Sequence, residues 1–175
     1  MHLVTSSIFL SSITSYLNPA SQNAFLRSYL AVSLLVWVYF GLPGLDISGY
    51  YSSTDAHPVP PKSATSNLKP DSSTLPSPTS AHALTPNPWL PLIQTTLVHP
   101  GDHLCKIQRA LSHFAGLYGS RAAGRADFKD TELKGSEKLD GTLFLRIAKE
   151  TADKMGWMRE GEKSGTWYRD GFYDV

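Results

Sequence analysis

Two helix-length runs meet at a proline–glycine pair, and that junction restricts the fold more than any other feature of the chain. Asn87-Pro88-Trp89-Leu90-Pro91-Leu92-Ile93-Gln94-Thr95-Thr96-Leu97-Val98 leads into His99-Pro100-Gly101-Asp102-His103, and an unbroken run follows from Leu104 to Tyr118. Pro100-Gly101 forces a turn, because proline cannot donate to a helical ladder and glycine accepts backbone angles other residues avoid. Asn87 is placed as a helix N-cap with Pro88 at the first helical position, where a missing N–H costs nothing. Pro91 still falls in the first turn. Asp102 is expected to cap the second helix and Gly119 to end it. The pattern is a helical hairpin.

At about 100° per residue, the second helix gathers Leu104, Ile107, Ala110, Leu111, Phe114, Leu117 and Tyr118 on one face. His103 falls on the same face, beside Ile107 and Ala110. Cys105, Arg109 and Ser112 lie opposite, and His113 sits on the border. The turn and the helix after it are therefore expected to bring His99, His103 and His113 to a buried seam. No other part of the sequence concentrates ligand-capable or titratable side chains in this way.

Charge divides the chain. The net charge of +1 gives no pull toward nucleic acid or anionic membrane. From Met1 to Pro60 the ionised side chains are Arg27, Asp46 and Asp55, whereas both signs are frequent after Gly101. Met1 to Tyr16 reads as a helix rich in Ser and Thr; lacking a positive segment ahead of its apolar residues, it does not read as a secretory signal. Asn18-Pro19 repeats the cap-then-proline device and opens a helix through Phe40, stopped by Gly41 and Pro43. Tyr29 to Leu42 is apolar apart from Ser33, and shorter than the ~20 residues that cross a bilayer. Such a helix is a core helix or a membrane element, and the core reading is taken, with membrane attachment as the alternative.

Residues 49–86 carry Pro58, Pro60, Pro61, Pro70, Pro76, Pro78 and Pro86 among many Ser and Thr, with no helical or strand period. That composition cannot bury a face, so it is expected to be a disordered insertion, with His57 and His82 solvated. Glu132 to Leu139 reads as a short helix or turn. Asp140 caps a helix from Gly141 to Met155, with Leu143, Phe144, Ile147, Ala148, Thr151 and Met155 on one face, and Gly156 closes it. The tail holds Trp157, Trp167, Tyr168, Phe172 and Tyr173, enough aromatic surface to pack back on the helices. The expectation is an all-α chain: an incomplete bundle of about five helices, with 1–48 and 87–175 in one domain and 49–86 inserted between them.

No dinucleotide fingerprint, phosphate loop, nucleophile elbow or zinc-protease motif is present. Cys105 is the one cysteine, so neither an internal disulfide nor a multi-cysteine zinc site can form. His99 and His103 have the spacing of a metal pair on a continuous helix, but Pro100-Gly101 interrupts it. Two readings remain: a buried histidine used in acid–base chemistry, or a turn capped by His99 and Asp102 with His103 bonded to a core carbonyl.

The segments HLVTSSIFL (His2 to Leu10), NPWLPLIQTTLVHPGDHLCKIQRALSHFAGLYG (Asn87 to Gly119), DGTLFLRIA (Asp140 to Ala148) and GWMREGEKSGTWYRDGFYD (Gly156 to Asp174) resemble the questin oxidase-like family, fungal oxidoreductases of polyketide pathways. The resemblance implies oxygen insertion next to an aromatic ketone or quinone carbonyl, of Baeyer–Villiger type, with NADPH as reductant and neither flavin nor metal motif in the chain. Family members are longer, so it implies that this chain corresponds to their C-terminal portion, with the linker as an insertion. His2, His99 and His103 are the catalytic candidates it carries over. Trp89, His113, Phe114 and Tyr118 are expected to line the substrate pocket, with Phe144 and Trp157 as further candidates. The expected partner is a small aromatic polyketide and the expected location cytoplasmic. From a different class, the chain could be an inactive helical interaction protein whose apolar 29–42 stretch is covered by a missing portion or a second subunit.

Overall fold

The computed structural model describes residues 2–42, 44–60, 87–128 and 130–158. Among them are seven α-helices and no strand. The expected all-α class holds, with two more helices than the sequence marked. The chain divides into two units, the second beginning at Ile47.

The first unit contains α1 (His2–Ser7), α2 (Leu10–Thr14) and α3 (Pro19–Tyr39). The single helix expected from Met1 to Tyr16 is broken between α1 and α2. The sequence supplies the reason: hydroxyls compete for helical carbonyls. Ser6 Oγ donates to His2 O at 2.7 Å, Ser7 Oγ to Val4 O at 2.8 Å and Thr14 Oγ1 to Leu10 O at 2.8 Å. Asn18 caps α3 as expected, its side chain accepting from Ser21 N at 2.9 Å with Pro19 in the first turn. Tyr29 Oη donates to Leu3 O at 2.6 Å, and Gln22 Nε2 donates to Thr14 O at 2.9 Å, so α3 holds both short helices.

None of the residues of α1, α2 or α3 is buried. Leu30, Leu35, Val38 and Tyr39 are exposed. Two short helices cannot enclose a helix that is apolar on every side. Among the described residues no helix is long and apolar enough to cross a membrane.

The second unit contains α4 (Ile47–Ser53), α5 (Leu90–Val98), α6 (Asp102–Tyr118) and α7 (Leu143–Met155). Its core is the seam where Leu104, Ile107, Ala110 and Leu111 of α6 meet Ala148, Ala152 and Met155 of α7, with Leu92 of α5 beside them. Small Ala148 and Ala152 permit close approach; of the face predicted for α7, Ala148, Thr151 and Met155 are buried, while Leu143, Phe144 and Ile147 are only half-buried. Gln108 lies in this seam too, its Nε2 donating to Ala148 O at 2.8 Å. The α6 stripe outruns the core, leaving Leu117 and Tyr118 exposed.

The caps match in part. Asp140 Oδ1 accepts from Thr142 N at 2.8 Å ahead of α7, and Gly156 takes φ 87° after it. Asn87 Oδ1 accepts from Trp89 N at 3.0 Å, but Trp89 holds the cap position two residues later and α5 begins at Leu90. Asp102 is not a cap: Gly101 holds that position and the carboxylate is used elsewhere.

Helix α4 runs across the point where the sequence placed the start of the linker. Arg146 of α7 holds its C-terminal end. The guanidinium donates to the carbonyl of Thr54 and to Tyr51 O at 3.3 Å, and lies 4.7 Å from the Tyr51 ring centroid. Tyr51 Oη in turn accepts from Asp140 N at 3.1 Å. Residues 61–86, with His82, and the tail beyond Met158, with Trp167, Tyr168, Phe172 and Tyr173, lie outside the described residues. Met158 packs down, its N–H donating to Thr95 Oγ1 at 2.7 Å.

Candidate functional site

The α5–α6 elbow positions two of the three catalytic candidates, and treats them differently. Because α5 ends in extended backbone at His99, the imidazole turns back over the elbow and is only 8 % exposed. Its Nδ1 accepts from Gly101 N at 2.9 Å, and its Nε2 lies 3.1 Å from Met155 O at the end of α7. A backbone N–H can only donate, so Nδ1 is the bare nitrogen and the proton sits on Nε2, given to Met155 O. Both nitrogens are committed to the backbone. His99 ties the elbow to α7, and in this arrangement it cannot accept a proton from a substrate.

His103 was expected on the buried seam. Its side chain is instead 45 % exposed, with Nδ1 2.8 Å from Asp102 Oδ1. The carboxylate one residue earlier draws the ring out of the seam. Lys106, one turn on, pairs with the other oxygen of Asp102. The Lys106 ammonium, aided by His103, holds the Asp102 carboxyl below the usual carboxylate range. A carboxylate on Nδ1 fixes the imidazole tautomer that carries its proton there. Asp102, read from the sequence as a cap, is the orienting partner of His103; its immediate neighbourhood in sequence was the available signal.

His2 is exposed at the start of α1, in the first unit, where its carbonyl accepts from Ser6 Oγ. The elbow thus gathers His99 and His103, while His2 belongs to another unit.

The pocket candidates separate from the elbow histidines. His113 follows His103 by ten residues, about 15 Å along a helix. It is exposed and stands edge-on to Phe114, with centroids 5.4 Å apart and planes at 71°. Phe114, Tyr118 and Phe144 form a three-ring cluster with centroid separations of 6.4, 6.1 and 6.2 Å and interplanar angles of 20°, 28° and 27°. Phe114 and Tyr118 are one turn apart on α6 and Phe144 comes from the first turn of α7. Their meeting depends on two glycines. A Cβ at Gly141 would lie 2.1 Å from the carbonyl oxygen of Gly119, and Gly141 N donates to Arg121 O at 2.9 Å. Trp89 is half-buried ahead of α5 and makes no ring contact with the cluster among the described residues; Trp157 Nε1 donates to Asp153 instead.

Neither the start of α6 nor the cleft between Gly124 and Glu137 fits the pyrophosphate of a nicotinamide cofactor. Such a group favours a helix N-terminus with open N–H groups. At α6 the Gly101 N–H is already bonded to His99 and Asp102 sets a carboxylate in the first turn. A cleft of about 530 Å³ between Gly124 and Glu137 is lined by Arg125 and Lys134, but equally by Glu132 and Glu137. Among the described residues no group of three or more His, Cys, Asp or Glu could hold a metal ion.

Comparison with curated proteins and with solved structures gave no match. The family model described as questin oxidase-like matches residues 1–111. That span contains His2, Trp89, His99 and His103; His113, Phe114 and Tyr118 follow it. The match takes in more than half of the sequence, and the chain belongs to the questin oxidase-like family.

Proposed function

We propose that this chain serves an oxidoreductase reaction that inserts one oxygen atom next to a carbonyl of an aromatic polyketide, such as an anthraquinone, with reducing equivalents from NADPH. The observation that supports this is the family match across the elbow, where a half-exposed histidine stands against a carboxylate. In balance, ketone, O₂, NADPH and a proton give the oxygen-inserted product, NADP⁺ and water.

His103 is the acid–base group in this reading. With Asp102 orienting the ring, the imidazole in this reading exchanges a proton with a phenol or polarises a carbonyl. His99 supports the elbow's shape. Incubating the purified chain with NADPH, oxygen and an anthraquinone tests the proposal. A product heavier by one oxygen, formed only with NADPH and reduced on the order of 100-fold by His103→Gln, is expected. Absence of that product ends the enzyme reading for this chain.

The exposed apolar surface of α3 favours a second reading, a helical interaction protein without turnover. Sedimentation of the inactive chain as a single species, without a partner, would count against it.

A further inference from the structure

Helix α3 is covered along one face. Gln22, Phe25, Tyr29, Ser33, Val36 and Phe40 are half-buried and recur at the helical repeat. That face meets α1 and α2 through the hydrogen bonds of Tyr29 and Gln22. On the opposite side Ala24, Ser28, Ala31, Leu35 and Val38 are all exposed. Their spacings of four, three, four and three residues make a stripe with the repeat by which two helices interdigitate.

The stripe is small at its start and large at its end. Ala24, Ser28 and Ala31 leave a shallow trough, and Leu35 and Val38 stand up from the helix. A second copy of α3, turned end for end, sets Leu35 against Ala31 and Val38 against Ser28, and receives the same two side chains in return. That is the self-complementary contact of a two-fold interface. Parallel copies would set small on small, leaving a void, and large on large. Charge agrees. Arg27, at the edge of the stripe, is the only ionised side chain of α3. A parallel pair puts two guanidinium groups abreast. The antiparallel pair holds them ~18 Å apart, about twice the ~8 Å over which salt screens charge.

The area is sufficient. Val32, Leu34 and Tyr39 flank the stripe, and with Leu35 and Val38 they are 49–67 % exposed. At roughly 100 Å² apiece, these five side chains supply about 500 Å² of the ~800 Å² that each partner buries in a stable complex. Ala24, Ser28, Ala31 and the stem of Arg27 add to it.

We infer that the outer face of α3 docks a second copy of this chain, helix on helix and antiparallel. The pairing is compatible with turnover and with its absence, so it stands apart from both readings given above.

Sedimentation equilibrium of the full chain is expected to show a dimer. Leu35→Glu is expected to weaken it at least about 100-fold, at unchanged helix content by circular dichroism. Orientation is read from disulfide formation in a Cys105→Ser background. Mixed Ser28→Cys and Val38→Cys chains are expected to cross-link, because the two positions face each other. Ser28→Cys alone stays unlinked across ~15 Å. If Leu35→Glu loses helix content, the cross-linking decides. A chain that is monomeric at about 100 μM, a dimer that Leu35→Glu leaves intact, or Ser28→Cys chains that link to themselves in preference to the mixture each overturn the inference. So does a monomer that sediments with phosphatidylcholine vesicles, because a lipid surface would then cover the face.

Discussion

Gly101 donates its backbone N–H to Nδ1 of His99, two residues behind it, while the far side of the same ring bonds Met155 O. One imidazole thereby joins the elbow between α5 and α6 to the end of α7. A Cβ at residue 101 would come within 2.9 Å of His99 Cε1. Gly101→Ala is thus expected to cost about 1–3 kcal/mol by overpacking. His99→Leu, which removes both bonds and strands two backbone groups, is expected to cost about 2–4 kcal/mol. Urea denaturation midpoints check both. A midpoint unchanged in His99→Leu would mean that the ring does not hold the elbow.

Arg146 anchors the end of α4 through Thr54 and Tyr51. Lysine cannot reproduce a planar group that bonds backbone carbonyls and lies over a ring. Arg146→Lys is expected to cost about 1–2 kcal/mol and to speed amide exchange in α4, while α6 and α7 keep their protection. Hydrogen exchange resolved by residue would show the contrast.

Burial, followed by the negative charge of Glu150, pushes the Tyr50 hydroxyl from 10.0 up to about 12. The unfolded chain therefore loses this proton first as pH rises. The stability tied to Tyr50 is complete below pH 10, falls between 10 and 12 and is gone above the folded value. With partial solvent access the loss is on the order of 1–2 kcal/mol. Tyr50→Phe is expected to flatten that part of the stability–pH curve, measured by urea titration at each pH.

The seam and the surface of the hairpin should respond oppositely to truncation. Leu104 is fully buried and Leu97 is 79 % exposed. Leu104→Ala is expected to cost about 2–5 kcal/mol, whereas Leu97→Ala stays within about 0.5 kcal/mol. Thermal or urea unfolding of the pair gives the comparison.

Gly141→Ala confronts backbone, which cannot move aside as a side chain tip can. A loss of roughly 3 kcal/mol is expected, since the Gly119 carbonyl stands 2.1 Å from the new atom. The Phe144 aromatic resonances should shift with it, an effect read by NMR.

The hairpin, its elbow and the apolar faces of α6 and α7 were legible because periodicity and turn chemistry act over short distances. The four seam residues Leu104, Ile107, Ala110 and Leu111 are buried where the period put them. Helix α4 was not legible: its residues look like the start of a Ser/Pro-rich stretch, and its anchor Arg146 is about 90 residues away. The site was read in part. The sequence brought His99 and His103 to one elbow, but spacing cannot say that His99 spends both nitrogens on backbone or that Asp102 draws His103 outward. Nor could it separate His103 from the ring cluster, because a helical wheel shows angle and hides distance along the axis.

Gln108 gives the α6–α7 seam a property that its aliphatic neighbours cannot. Leucine, isoleucine and alanine tolerate sliding past one another, trading one oily contact for a similar one. A carboxamide fastened to the Ala148 carbonyl allows one alignment, since any slip would bury it without an acceptor. Randomising the aliphatic positions should therefore leave many sequences that keep the same pairing of the two rods. Changing residue 108 alone should let them drift.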